Sequence, residues 1–336
     1  MRGFIFIFSF LFFFSCSEPK QYYLLQGSVF HTSYHIKYES SRLLDEEIKE
    51  TLNRFDLSLN PFNDQSVIYK INNNIDVEAD DWFMTVFNKS MEVSERSEGT
   101  FDITAAPFIN LWGFGFNKED SVTPQLIDSL KQLVGYQKVR SEGRRIIKEH
   151  PGILLNASAI AKGYACDVVA ELLDSCGINN YMVEIGGEIR VKGINPNKAC
   201  WRVEITKPYD DRTGSVRERQ EVLSLCEGGL ATSGNYRNFY LKDGKKIAHT
   251  IDPRTGYPAE QNMLSATVIA PDCMTADAYA TAFMTLGLEK SVELAEKIPE
   301  LAYYFIYSDP EGVLSVQYSE NMSRYFSNDP LSVLGR

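Results

Sequence analysis

The chain has 336 residues and a formal net charge of -11 at neutral pH. That length allows one large domain or two small ones. The acidic balance argues against nucleic-acid binding, which needs a basic footprint, and against adhesion to anionic lipid by charge alone.

Read in chain order, the first fifteen residues stand apart from the fold. Arg2 supplies a short positive region and Phe4 to Phe14 is an apolar run, too short to span a bilayer as a helix of ~20 residues. It breaks at Ser15-Cys16-Ser17-Glu18-Pro19, the pattern of a secretory signal ending at a cysteine. A small residue before Cys16 resembles a bacterial lipobox. The expectation is a signal over 1-15, acylation at Cys16 and one domain over 16-336; an ordinary signal with an incidental cysteine is the alternative.

Residues 22-39 alternate, which predicts a strand or hairpin turning around Gly27-Ser28. Helical spacing marks 42-56, 66-72, 80-97 and 123-134, the last with Thr123 as cap and Pro124 at the first helical position. Ile146-Ile147 and Ile153-Leu155 read as strands. A helix is predicted from Ala159 to Cys176, stopped by Gly177. Strands are predicted at Tyr181-Val191, Trp201-Thr206 and Ser265-Ala270, helices at Thr275-Leu286 and Glu289-Lys297, and a closing hairpin at Leu301-Tyr307 and Val313-Tyr318. No linker, charge block or repeat divides the chain. Strands and helices mix without regular βαβ alternation, so the predicted class is α+β.

Six cysteines, Cys16, Cys166, Cys176, Cys200, Cys226 and Cys273, contain no Cys-x-x-Cys pair, so neither a zinc ribbon nor a thioredoxin motif is present. A core of this size holds without staples, and buried free thiols are expected. One disulfide stays open for an exported chain.

Five segments carry polar groups in patterns that chemistry uses. Gly99-Thr100-Phe101-Asp102, running on to Trp112-Gly113-Phe114-Gly115, combines aromatics that can flank a planar ring with glycines that permit close approach. On composition alone a turn packed on the core is the favoured reading. Asn156-Ala157-Ser158-Ala159-Ile160-Ala161-Lys162-Gly163 runs from a strand into a helix start, where exposed N–H groups and Lys162 favour an anion. Plain capping is the alternative. Gly186-Gly187 inside an alternating strand marks a bulge or a ligand pressed on the backbone. His249 opens a polar turn, Thr250-Ile251-Asp252-Pro253-Arg254-Thr255-Gly256, and could serve as general base on a hydroxyl or simply be hydrogen-bonded. Asp277 and Thr281, four apart, share one helical face. Hard oxygens beside a histidine point to Mg²⁺-assisted chemistry on a phosphorylated substrate.

Together and in this order, Ile160-Ala161-Lys162-Gly163-Tyr164-Ala165, Val183-Glu184-Ile185-Gly186-Gly187-Glu188, His249-x-Ile251-Asp252-Pro253-x-Thr255-Gly256 and Ala276-Asp277-Ala278 resemble the ApbE family of bacterial FAD:protein FMN transferases. The resemblance implies a single-domain, T-fold-like α+β architecture with FAD in a cleft and Mg²⁺ at its diphosphate. It implies transfer of FMN from FAD to a threonine hydroxyl of an acceptor protein, with release of AMP. Thr100, Phe101, Asp102, Asn156, Lys162, Gly186, Gly187 and Thr250 would then lie at the flavin nucleotide, with Phe30 where other members carry Met. Asp277 and Thr281 would give side-chain ligands to Mg²⁺, Ala159 a backbone carbonyl, and His249 would be the base. Asn156 stands where many members carry Asp, Ala280 where some carry another acid, and Asn60-Pro61-Phe62 replaces a Ser-Thr-Tyr-like stretch. The implied acceptors are exported flavin-bearing subunits of membrane electron-transfer complexes, met by an enzyme lipid-anchored to a bacterial membrane and facing the periplasm. Two other readings remain at this level: an Mg²⁺-dependent FAD pyrophosphatase giving FMN and AMP, and a non-catalytic FAD-binding lipoprotein.

Overall fold

Alternating apolar and polar residues at the start of the described chain form a hairpin, β1 (Gln21–Val29) with β2 (Thr32–Ser40). The computed structural model describes residues 19-114, 122-208, 218-235, 239-242, 245-259, 262-309 and 311-327. The expected signal segment 1-15, Cys16 and Gly115 lie outside them. The hairpin turns at Phe30-His31, not at the expected Gly27-Ser28. Gly27 pairs with Tyr34 inside the ladder, and a Cβ there would stand 2.6 Å from the Tyr34 hydroxyl. That glycine makes room for a cross-strand ring, while Phe30 and His31 take positive φ angles of 51° and 60°.

Helices α1 (Asp45–Leu59), α2 (Val67–Asn72) and α3 (Asp81–Arg96) follow, the last two capped by Ser66 and Asp80. Then come α4 (Ala106–Leu111), α5 (Pro124–Leu130), capped by Thr123 as expected, and a small hairpin, β3 (Val139–Glu142) with β4 (Arg145–Lys148). The strand expected at Ile153-Leu155 does not form. Leu155 instead donates its N–H to, and accepts from, the side-chain amide of Asn72, and Lys148 Nζ donates to the Ile153 carbonyl. Side chains have taken the bonds that a partner strand would need.

The rest runs α6 (Ala161–Ser175), β5 (Tyr181–Ile185), β6 (Glu188–Lys192), β7 (Trp201–Thr206), β8 (Arg219–Leu225), β9 (Glu227–Gly234), β10 (Phe239–Lys242), β11 (Lys245–Ala248), β12 (Met263–Ala270), α7 (Cys273–Leu286), α8 (Leu288–Glu296), β13 (Ala302–Ser308) and β14 (Leu314–Tyr318). The expected strand 181-191 is therefore two strands. Gly186-Gly187 is their hairpin turn, with both φ angles positive, rather than a bulge. Eight strands form one antiparallel sheet in the order β1-β2-β5-β6-β9-β12-β13-β14. The class is α+β, as predicted.

The sheet separates two cores. On one face Ile36, Val183, Ala231, Val268 and Phe305 pack with apolar residues of α1, α3, α6 and α7. On the other, Val191, Leu230, Ile269 and Ile306 meet Trp201, Val203, Leu223 and Leu225 of β7 and β8. A third cluster joins Phe108, Leu111, Trp112, Ile127 and Val134 to Ile251. α7 is the central helix, with twelve of its fourteen residues buried. Neighbouring elements approach it closely at glycines, Gly163 of α6 and Gly229 of β9.

Cys200 and Cys226 form a disulfide with a Cα–Cα distance of 4.5 Å, which corrects the expectation of free thiols for these two. The ladder register is the reason: Trp201 opposes Leu225, so the next residues outward are Cys200 and Cys226. Cys166 and Cys273 are buried free thiols, as expected, and Cys176 is free and exposed. Among the described residues, no helix is long and apolar enough to cross a membrane.

Candidate active site

The two hairpin turns meet at one end of the sheet. Tyr34 opposes Ile185, and Gly186 N–H donates to the Ser33 carbonyl, so turn 30-31 lies beside turn 186-187. Gly186 is hemmed by Thr32 and Lys162: a Cβ there would sit 3.0 Å from Thr32 and 3.1 Å from Lys162. Phe30 is half-buried and packs on Phe55 with ring centroids 5.5 Å apart. The start of α6 thus reaches the same end as both turns.

Asp277, from the middle of α7, is buried and accepts a hydrogen bond of 3.0 Å from Gly163 N–H. That N–H is diverted from the helical ladder. Among the described residues, no backbone N–H donates to the Ala159 carbonyl one turn earlier. Lys162 makes an ion pair with Glu188, the first residue of β6. Burial opposes the charge of Lys162, but Asp277 and Glu188 overcome this and hold the ammonium above its ordinary pKa. Burial raises the carboxyl of Asp277 and that of Glu188, and Lys162 draws both back down. Thr281, one turn beyond Asp277, has its hydroxyl 3.3 Å from Ser233 at the end of β9.

The turn that begins with His249 reaches this helix through the same strand end. Two residues past Ser233, Asn235 Oδ1 accepts from the Thr250 hydroxyl at 2.7 Å. His249, half-buried, sets its ring edge-on to Phe114 with centroids 6.2 Å apart. Behind it the turn is rigid. Asp252 receives Arg254 through Nε at 3.0 Å, Nη2 at 2.8 Å and the backbone N–H at 2.9 Å. Trp112 Nε1 donates to the Gly256 carbonyl at 2.8 Å. The aromatic segment 108-114 and the histidine turn are therefore one packed unit.

The expected nucleotide contacts divide into two groups. Lys162, Gly186, Gly187 and Phe30 sit together at the sheet end. Thr100, Phe101 and Asp102 instead have their side chains engaged in the fold. Thr100 Oγ1 donates to the Ser97 carbonyl, and Phe101 is buried. Asp102 accepts from Thr104 N–H and hydroxyl and from Tyr136 N–H. Burial raises its pKa, opposed by these donors. Asn156 accepts from Ser158 N–H at 2.7 Å in a local turn, while its own N–H donates to the Ile103 carbonyl. The residue that caps α6 is Ile160, with no side-chain cap bond, so the expected capping by Asn156 or Ser158 does not form. The Thr250 hydroxyl is occupied by Asn235. Glu188, Asn235 and Gly163 carry the site's geometry and were not among the expected residues. Glu188 directly follows the Gly186-Gly187 turn, which was the available signal.

The donor set suits Mg²⁺: one carboxylate (Asp277), one hydroxyl (Thr281) and a carbonyl lacking its helical donor (Ala159). Among the described residues, no three His, Cys, Asp or Glu cluster as a metal site. This is no objection for a hard ion that takes few protein ligands and completes its shell with phosphate and water. Ala280 is buried and adds no ligand.

A profile described as the ApbE family matches residues 30-305. The chain is similar to the FAD:protein FMN transferase of Vibrio cholerae, 36% identical over 299 residues that cover 85% of this chain and 88% of that one. It is 35% identical over 320 residues to the FAD:protein FMN transferase of Haemophilus influenzae, covering 90% and 91%. The solved flavin transferase ApbE from Vibrio cholerae superposes with a TM-score of 0.82 at 32% identity, over 92% of this chain and 100% of that chain. The apo flavinyl transferase ApbE of Pseudomonas stutzeri gives 0.80 at 28%, over 91% and 97%. These matches span nearly the whole described fold, and the chain belongs to the ApbE family.

Proposed function

We infer that the chain is an FAD:protein FMN transferase. One observation carries the reading. The end of β9 joins the Asp277-Thr281 face of α7 to the His249 turn, through Ser233 to Thr281 and Asn235 to Thr250. A diphosphate-side acid and a base for a hydroxyl thereby belong to one site.

In the reaction, a threonine hydroxyl of the acceptor attacks the FMN-side phosphorus of FAD. The new phosphorus–oxygen bond forms as the bond to AMP breaks. His249 accepts the hydroxyl proton, which raises the nucleophilicity of a neutral alcohol. Lys162 holds a positive charge against the nucleotide. Asp277, Thr281 and the Ala159 carbonyl would hold Mg²⁺, whose contribution is to neutralise the diphosphate and stabilise charge on the departing AMP. Turns 30-31 and 186-187 present backbone and the Phe30 ring to the flavin side.

His249→Ala separates transfer from binding. The expected result is a loss of about 10²–10⁴-fold in FMN transfer, with FAD affinity, read by flavin fluorescence, nearly unchanged. A variant that transfers FMN at the wild-type rate removes His249 from the mechanism.

The rest of the proposal concerns place and partner. The acceptor is an exported flavin-bearing subunit of a membrane electron-transfer complex, and a lipid on Cys16 holds the enzyme at a bacterial membrane, facing the periplasm. The apolar run ending at Ser15-Cys16 supports this. In membrane fractionation, Cys16→Ser should move the protein out of the membrane pellet. Continued membrane retention would refute the lipid anchor.

A further inference from the structure

Glu188 has an environment that its ion pair alone does not explain. Its side chain is 7% exposed, and one oxygen takes the Lys162 ammonium. The other, Oε2, is buried with no hydrogen-bond partner. Burying a carboxylate oxygen without a donor is costly. The simplest neutral arrangement at this place would have been Lys162 with Asp277 alone. The fold instead holds two carboxylates around one ammonium.

We propose that Glu188 is a positioning residue that keeps the Lys162 ammonium on its own carboxylate, so that Asp277 stays available to a divalent cation. The inference rests on the metal reading under Proposed function. An ammonium and a divalent cation compete for the same carboxylate oxygens. With one carboxylate, Lys162 would neutralise Asp277 and repel the incoming ion. With Glu188 present, the three groups sum to one negative charge before the cation arrives, and Lys162 has a second anion to hold it. The Lys162 stem runs past the Gly186 backbone, where an added Cβ would stand 3.1 Å from its Cδ. The position of Glu188 follows from the chain: the Gly186-Gly187 turn delivers it as the first residue of β6, facing the start of α6. Its backbone carbonyl accepts from the buried Cys166 thiol of α6 at 3.2 Å, which fixes that strand end against the helix.

The test is Mn²⁺ binding to the purified full chain, read by electron paramagnetic resonance with and without FAD. Wild type, Glu188→Gln, Lys162→Met and the double variant are compared, with thermal unfolding to confirm folding. Glu188→Gln should raise the Mn²⁺ dissociation constant by about 10–100-fold, the range for groups that act behind a metal ligand. Lys162→Met in the same chain should restore binding toward wild type, because the ammonium no longer competes for Asp277. A purely structural Glu188 predicts the opposite: the second substitution leaves binding as weak or weaker. Equal affinity in wild type and Glu188→Gln also overturns the proposal. If the wild type itself binds no Mn²⁺, the metal reading fails first, and the two failures are thus distinguishable.

Discussion

Asp277→Asn should abolish FMN transfer while leaving the protein as stable as wild type, or more so. The two effects have separate causes. Asparagine keeps the shape of the side chain and an oxygen that can accept from Gly163 N–H, so the contact between α6 and α7 survives. It removes a charge that burial disfavours, as the raised pKa of this carboxyl indicates. Lys162 keeps Glu188 as its counter-ion, so the change does not leave an ammonium buried without a partner, the case that strongly destabilises. Activity has no such compensation. The carboxylate is the single charged donor in the proposed metal set. Changes merely behind a ligand cost about 10–100-fold in metal affinity or activity, so loss of the ligand should cost at least about a hundredfold. Transfer rates and thermal unfolding measured together check both halves. An active Asp277→Asn, or one that fails to fold, would contradict the assignment.

Gly163→Ala should destabilise the fold and disturb the site at once. On an exposed helix this change would gain about 1 kcal/mol, since alanine is the better helix former. Here the added Cβ would stand 2.4 Å from the Cys273 carbonyl oxygen and 2.8 Å from Asp277 Cβ. The first obstacle is backbone of the central helix and cannot rotate away. Relief requires α6 and α7 to separate, and overpacking of this kind costs about 1–3 kcal/mol or more, which outweighs the propensity gain. Separation also pulls Asp277 from Gly163 N–H and Ala159 from Asp277. A lowered melting temperature with impaired transfer is the expected result. A stabilised, fully active variant would mean that the helices are not closely packed there.

These two residues show what the linear chain reveals and what it withholds. The helices were legible because their stripes, caps and stops are local: Ser66, Asp80 and Thr123 accept from their own first turns. Asp277 and Thr281 were legible because four-residue spacing shares a helical face. Long-range employment was not. Gly27 looks like a turn residue until Tyr34 is seen across the ladder. Ile153-Leu155 looks like a strand until Asn72, far away in sequence, takes its backbone bonds. The pairing of Cys200 with Cys226 depends on the register of β7 and β8, which composition does not specify. Glu188 reads as an ordinary strand residue, because its importance lies in a lysine 26 positions earlier. The motif strings marked segments that the fold brings together, while tertiary packing decided how each side chain is engaged. Asp102 shows the difference, since its carboxylate oxygens are engaged by Thr104 and Tyr136.

The most direct measurement is mass spectrometry of an exported flavoprotein domain after incubation with this protein, FAD and Mg²⁺, with free FMN and AMP quantified in the same tube. The account predicts a covalent FMN adduct on one threonine of the acceptor, AMP released in equal amount, and neither product with Asp277→Asn. AMP accompanied only by free FMN would make the protein a pyrophosphatase. Intact FAD across several acceptors would contradict the catalytic reading altogether.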